Sequence, residues 1–152
     1  MIVFRLSKPA YAEDLSGRGA ELSGGRWNSK GVALVYTSES RALSTTEIAV
    51  HTPLGIIPDD YKLISIEIPD KVKILELKII DLSKDWKSIP YKSSSQQLGN
   101  NFVKEEKYLI MKVPSAVVQD EFNYLINPKH KDINKIKIIK VEDFGFDERL
   151  FK

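Results

Sequence analysis

Apolar residues along this chain fall into short runs with two different rhythms, and the rhythm predicts the elements. Val32-Ala33-Leu34-Val35-Tyr36 is a β-branched and aromatic run that predicts a buried strand. In the pleat Val32, Leu34 and Tyr36 share one face, and Ala33 and Val35 take the other. Thr37 and Ser38 end this strand, and Ser38 or Ser40 is placed to cap a helix running to about His51. Pro53 closes the helix, because proline disfavours helical backbone in the residue before it. At about 100° per residue, Ala42, Leu43, Ala49 and Val50 form one apolar stripe. Glu47 falls beside Leu43 and Val50, at the stripe's edge. That is a costly place for a carboxylate without a partner or a task.

Beyond Pro58 the rhythm turns to strands. Leu63-Ile64-Ser65-Ile66-Glu67-Ile68 alternates, and Val72 to Ile80 carries a weaker strand signal. Ser94 to about Lys107 predicts a helix with Leu98, Phe102 and Val103 on its buried side. Leu109 to Val113 predicts a strand halted by Pro114-Ser115, and a short segment leads to Asn123-Tyr124-Leu125-Ile126-Asn127-Pro128. Ile136 to Val141 predicts a late strand, with the lysines between Lys129 and Lys140 as its solvated face. One helix after the first strand, then mostly strands, predicts an α+β fold.

The length predicts a single domain spanning residues 1–152. Twenty-three basic and 21 acidic residues leave a net charge of +2, without the basic excess that nucleic-acid binding calls for. With no Cys in the chain, disulfides, thiolate nucleophiles and cysteine zinc sites all drop out, as suits a reducing cytoplasm. The opening apolar run is too short for a signal peptide, and no window predicts a membrane span. A cytoplasmic protein is the expectation.

Chemistry concentrates around the glycines. Five of the eight lie between Gly17 and Gly31, which predicts a loop. Gly17-Arg18-Gly19 lacks the third glycine of the dinucleotide fingerprint, and the lysine-serine ending of a P-loop is missing too. Within the loop, Ser23-Gly24-Gly25-Arg26-Trp27-Asn28 holds a guanidinium between glycines and an indole. The planar fork of Arg26 suits two oxygens of a phosphate or carboxylate; the competing expectation is a structural salt bridge. Tyr36 is either plain core or an aromatic surface at a pocket mouth. His51 lies one helical turn from Glu47. A metal site would need a third ligand, and His130 is the only other histidine. Ser115 has no nearby histidine to support a nucleophilic triad. These residues predict a pocket for a phosphorylated sugar or nucleotide, and they name no reaction.

Taken together, Gly19-Ala20, Gly24-Gly25-Arg26-Trp27-Asn28, Gly31, Tyr36, Ala42-Leu43, Glu47 and His51 resemble the RES domain, the toxin half of bacterial RES–Xre type II toxin–antitoxin pairs. Gly99, Val113-Pro114-Ser115-Ala116-Val117, Asn123-Tyr124-Leu125-Ile126-Asn127-Pro128 with His130, and Phe146-Asp147-Glu148-Arg149-Leu150 resemble later blocks of that family. The resemblance runs from about residue 3 to 150, with Phe102 where the family tends to carry tryptophan. It implies a fold similar to ADP-ribosyltransferases: a split, mainly antiparallel β core with flanking helices. The Arg, Glu and Ser that name the family map onto Arg26, Glu47 and Ser115.

The implied activity is cleavage of the nicotinamide–ribose bond of NAD+, depleting it by hydrolysis or phosphorolysis. The alternative is mono-ADP-ribosylation of a specific host protein. NAD+ is then a substrate, with no further cofactor and no metal. The implied catalytic residues are Arg26, Tyr36, Glu47 and Ser115. Substrate contacts are assigned to Gly24, Gly25, Trp27, Asn28, His51 and Asn123, with His51 also expected to steady Glu47. The implied partner is a helix-turn-helix antitoxin of the Xre family that blocks the cleft, within a higher-order toxin–antitoxin complex. Direct contact with nucleic acid or a membrane is not expected.

Overall fold

Seven strands form one sheet in the order β4-β5-β6-β2-β1-β3-β7, in a computed structural model that describes residues 1–152. The strands are β1 (Ile2–Ser7), β2 (Val35–Ser38), β3 (Tyr61–Glu67), β4 (Ile74–Glu76), β5 (Ile110–Pro114), β6 (Phe122–Ile126) and β7 (Lys137–Phe144). Every pairing is antiparallel except β4 with β5. Three helices accompany them: α1 (Arg18–Ser23), α2 (Arg41–His51) and α3 (Ser93–Glu105). The fold is α+β and mainly antiparallel, as expected. No helix is long and apolar enough to cross a membrane.

Strand alternation sorts the core into two faces. Val3, Val35, Ile64, Ile66, Ile110 and Ile126 pack together on one. Their chain neighbours Leu34, Met111 and Leu125 join Val113, Trp27, Phe102 and Val103 on the other, under α3. Phe4, Leu6 and Leu63 form a smaller cluster against Ile48 of α2. Phe4 pairs with Ser38 and Ser38 with Asn123, so α2 and α3 cover the same side of the sheet. A cleft opens between them.

Four expectations shift. The opening Ile2–Ser7 is a central strand with six residues paired to β3. The strand expected from Val32 begins at Val35, because the Val32 carbonyl is taken by Asn28 Nδ2 (3.0 Å) and its N–H by the Ser29 carbonyl (3.1 Å). The predicted faces still hold: Leu34 packs under α3 and Val35 on the far side. On α2, capped by Ser40, one of the two serines expected there, the buried positions are Leu43 and Ser44, while Ala42 and Val50 are exposed. Ser44 satisfies its buried hydroxyl by donating to the Phe4 carbonyl at 3.0 Å. That seating turns Glu47, Val50 and His51 toward the cleft. Finally, of the lysines expected on the last strand, only Lys137 and Lys140 lie in β7.

The glycine-rich segment is folded, partly into α1, and its end is a tight turn seated on α3. Gly25 N–H donates to the Asn28 carbonyl at 2.9 Å, so Arg26 and Trp27 occupy the turn's tip. Trp27 plunges into the core beside Trp86, with ring centroids 6.0 Å apart. From α3, Gln96 Nε2 donates to the Gly25 carbonyl (3.0 Å), and Asn100 Oδ1 accepts from Ser29 N–H (3.0 Å). Gly99 lies flush against the turn: a Cβ there would sit 1.6 Å from the Trp27 carbonyl oxygen. On the other flank the Tyr36 hydroxyl accepts from Trp27 N–H (3.1 Å) and donates to Asn28 Oδ1 (2.6 Å). Gly25 is glycine because its Cβ would fall 2.7 Å from that hydroxyl. Gly24 is glycine because its φ is +69°.

Two outcomes follow from this seat. Gly99→Ala forces α3 off the turn backbone, which cannot yield as a side chain can. It should cost about 3 kcal/mol and lower the melting temperature by about 6–12 °C; a melting temperature within about 2 °C of the parent's would refute the contact. Tyr36→Phe strands the Trp27 N–H and Asn28 Oδ1, at a cost of about 1–3 kcal/mol. Burial raises the Tyr36 pKa above its ordinary 10.0. The folded state therefore holds this proton where the unfolded chain releases it. Its contribution is complete below pH 10.0 and fades as pH climbs from there toward the raised folded value. Urea midpoints at neutral and strongly alkaline pH should show the parent losing more stability than Tyr36→Phe.

Candidate active site

Two cavities, of about 480 and 670 Å³, adjoin in the cleft and share Ala20, Tyr36, Glu47, His51 and Asn123. Either volume suits a small-molecule site, and Glu47 stands at the division between them. Eight of the residues singled out by sequence, Gly24, Gly25, Arg26, Trp27, Tyr36, Glu47, His51 and Asn123, line the larger cavity.

The Glu47 carboxylate is fixed through one oxygen. Oε1 accepts from Ser115 Oγ at 3.0 Å and from Asn123 Nδ2 at 2.8 Å. Both donors are themselves oriented. The Ser115 oxygen accepts the N–H groups of Val117 and Val118, each at 3.0 Å, so its own proton is turned to Glu47. Asn123 Oδ1 accepts from Ser38 Oγ at 2.8 Å, which turns its amide nitrogen the other way. Oε2 has no hydrogen-bond partner in the protein and is left to the cleft. Ser115 is 3% exposed and lines neither cavity. Its place is behind Glu47, holding it, and not against a ligand.

Arg26 is half-buried and has no carboxylate within 4.0 Å, so the salt-bridge alternative falls away. Its Nη1 donates to the carbonyls of Trp86 (2.7 Å) and Ser88 (3.3 Å), and its carbon lies 5.0 Å from the Tyr91 ring centre. Carbonyls and an aromatic face hold the group without neutralising it, and Nε and Nη2 remain for an anion. The loop supplying these contacts escaped sequence reading, since a backbone carbonyl leaves no compositional trace.

Other assignments change. Asn28, expected to touch substrate, is 0% exposed and lines neither cavity; its side chain builds the turn behind Arg26. Trp27, expected likewise, is 3% exposed but does line the larger cavity. Gly24 and Gly25 line the larger cavity, yet their smallness answers to backbone torsion and the Tyr36 hydroxyl. His51 is an exposed residue of both cavities and makes no hydrogen bond to Glu47. Steadying falls to Ser115 and Asn123. Tyr36 presents its ring to both cavities while its hydroxyl serves the turn.

Sequence reading also missed Arg5 and Ser38. Arg5 lines the smaller cavity, donates from Nη1 to the Asp14 carbonyl at 2.6 Å, and pairs with no carboxylate. Burial lowers its pKa from the ordinary arginine value. A lone arginine in an apolar opening run gave no signal until β1 proved to be a wall of the cleft. No group of three His, Cys, Asp or Glu residues comes together anywhere to hold a metal ion.

Comparisons with known proteins agree with one another. The chain is 38% identical over 144 residues to the Prs ADP-ribosylating toxin of a Sphingobium species, covering 93% of this chain and 89% of that protein. It is 39% identical over 155 residues to a protein named Toxin Res in Pseudomonas putida, covering 99% and 100%. A chain of the M. tuberculosis MbcT–MbcA toxin–antitoxin complex superposes with a TM-score of 0.75 at 20% identity, covering 99% of this chain and 86% of that one. That likeness concerns the fold, which is ADP-ribosyltransferase-like. The RES domain model matches residues 2–147, and on that span the chain belongs to the RES-domain family.

Proposed function

We propose that this protein is a toxin that cleaves the nicotinamide–ribose bond of NAD+ and is neutralised by a cognate antitoxin. The observation that carries the reading is a carboxylate with one oxygen tied back and the other free, at the meeting of two cavities that hold unpaired arginines. In the cleft, Arg26 grips the pyrophosphate by charge-assisted hydrogen bonds through Nε and Nη2. Tyr36 offers its ring to the nicotinamide. Glu47 Oε2 engages the ribose next to the bond that breaks.

The C1′–N bond opens with its electron pair passing to the nicotinamide nitrogen, so nicotinamide leaves neutral and the sugar becomes an oxocarbenium ion. Glu47 stabilises that cation, and its rigid hold matters because a carboxylate that need not reorganise stabilises developing charge most. Water or phosphate then captures C1′. With water the products are ADP-ribose, nicotinamide and one proton.

A second reading, transfer of ADP-ribose to a side chain of a specific host protein, is favoured by the name of the Sphingobium relative. It uses the same bond cleavage and a different acceptor. The antitoxin reading is supported by the toxin–antitoxin complex whose fold this chain shares, and by exposed apolar residues at the cleft rim, Leu22, Val50 and Ile89. A helix-turn-helix protein of the Xre family is the antitoxin we expect, covering the cleft with a separate segment.

Purified protein incubated with NAD+ should release nicotinamide. A folded, antitoxin-free sample that releases none rules the activity out. Glu47→Gln should lower the rate at least about 100-fold. Arg26→Ala should lower kcat/KM about 10- to 100-fold by removing a charge-assisted contact. Ser115→Ala should lower kcat with little change in KM, because Ser115 acts on Glu47 and not on substrate. NAD+ labelled in its adenylate half separates the acceptors: free labelled ADP-ribose marks hydrolysis, and a labelled protein band marks transfer.

A further inference from the structure

A third cavity, of about 640 Å³, shares no lining residue with the cleft. It is formed by the segments before β4, before β5 and after β6, whose apolar residues Val72, Leu109 and Ile133 pack with the opposite face of the sheet. Five lysines line it: Lys71, Lys73, Lys107, Lys131 and Lys135. Of its two acids, Asp132 pairs with Lys135 (3.2 Å) and Asp70 with the chain's amino terminus (3.2 Å). Lys71, Lys73, Lys107 and Lys131 pair with no carboxylate. Four uncompensated ammonium groups around one concavity stand out in a chain of net charge +2.

The cavity also contains a fixed donor. His130 lines it and is only 6% exposed. Its Nδ1 accepts the Asp132 N–H at 3.1 Å, so in the neutral ring the proton sits on Nε2. Nε2 has no partner in the protein. The only sealed side-chain polar atoms without a hydrogen-bond partner are Ser65 Oγ and Glu142 Oε2, so Nε2 reaches the cavity. The loop beneath is rigid. Asn127, 0% exposed, donates to the Val103 carbonyl (3.1 Å) and accepts from Lys129 N–H (3.0 Å), and its carbonyl takes the His130 N–H (3.2 Å). The Asn127-Pro128 and His130 motif thus places an imidazole N–H under a ring of lysines, far from any role in NAD+ chemistry.

We infer that this cavity is a binding site for an oligophosphate group, with His130 Nε2 donating to one phosphate oxygen and the lysines neutralising the rest. A concave site with one buried donor favours a compact polyanion over an extended nucleic-acid backbone, which is usually tracked by a groove or a stripe of cations.

The test is a titration of the full chain carrying Glu47→Gln, at about 0.15 M salt to screen diffuse attraction, followed by NMR. The chain's two histidines report on the two places: His51 on the cleft and His130 on the third cavity. Inorganic tripolyphosphate should bind saturably and shift the His130 ring signals. Lys71→Ala with Lys131→Ala, both exposed and outside the core, should weaken that binding at least tenfold. A nucleoside triphosphate run alongside identifies the source: tighter binding than tripolyphosphate at His130 assigns the site to nucleotides, and equal binding to the phosphates alone. Three results overturn the proposal: no saturable shift at His130; a shift confined to His51; or a single-stranded RNA oligomer binding at least tenfold more tightly than tripolyphosphate through the same lysines. None of them bears on whether the cleft cleaves NAD+.

Discussion

The site depends on a single oxygen being spoken for. Glu47 Oε1 receives a hydroxyl and an amide proton, and each donor is aimed by a hydrogen bond of its own: backbone N–H groups behind Ser115, the Ser38 hydroxyl behind Asn123. The chain of bonds starts in β2 and in the turn after β5, passes through β6, and ends on α2. A carboxylate on a helix surface would ordinarily choose among several rotamers. Here its orientation is set by sheet register, since Ser38 and Asn123 are a paired position of β2 and β6. Order in the catalytic group is therefore inherited from the strand ladder, and Oε2 faces the cleft without reorganising.

The arginine opposite is positioned by a different device with the same economy. A two-residue tip cannot hold a long side chain still unless the turn is pinned on every side. α3 pins it from below through Gln96 and Asn100, with Gly99 allowing backbone-to-backbone contact, and Tyr36 pins it from β2. Trp27 anchors the tip in the core, so Arg26 can only point to the cleft. Tyr36 belongs to both devices. Its hydroxyl fixes the turn while its ring faces the cavities, which couples the geometry of the arginine to that of the strand bearing Ser38.

Much of this was legible in the sequence, for identifiable reasons. The alternation in Leu63–Ile68 and the Ser40 cap are local signals, and local signals survive folding. The faces of Leu34 and Val35 were right even though the strand starts later than its apolar run, because burial follows side-chain pattern while strand pairing follows the availability of backbone groups, and Asn28 had claimed the Val32 carbonyl. The α2 stripe was misplaced for a related reason: Ser44 is polar by composition yet buried, satisfied by the Phe4 carbonyl. Arg26 and Glu47 stood out by type, and Asn123 through the family resemblance, but Arg26 and the Ser115 behind Glu47 are held by backbone carbonyls of Trp86 and Ser88 and backbone amides of Val117 and Val118. Such partners carry no side-chain signature, so only the fold could supply them. Asn28 was misassigned because adjacency to Arg26 in sequence suggested adjacency to substrate, whereas its side chain turns inward to the Ala20 and Val32 carbonyls.

Net charge misleads in the same way that adjacency does. A total of +2 argues against an extended polyanion-binding surface, and that inference concerns averages. The fold distributes the charge unevenly. In the cleft, Arg5 and Arg26 are held by carbonyls and neither pairs with a carboxylate, while Glu47 supplies an opposing charge where the two cavities meet. A dinucleotide with a cationic ring and an anionic pyrophosphate meets both signs there. On the far face, acids that would balance the lysines are engaged by the amino terminus and by Lys135, and the surplus gathers around His130. The acidic residues that bring the sum near zero lie mostly elsewhere, as in the Glu76, Glu142 and Asp143 pairs along the sheet's outer strands. What a charged group can bind is decided by whether its neighbours neutralise it or merely orient it, and carbonyl groups do only the second.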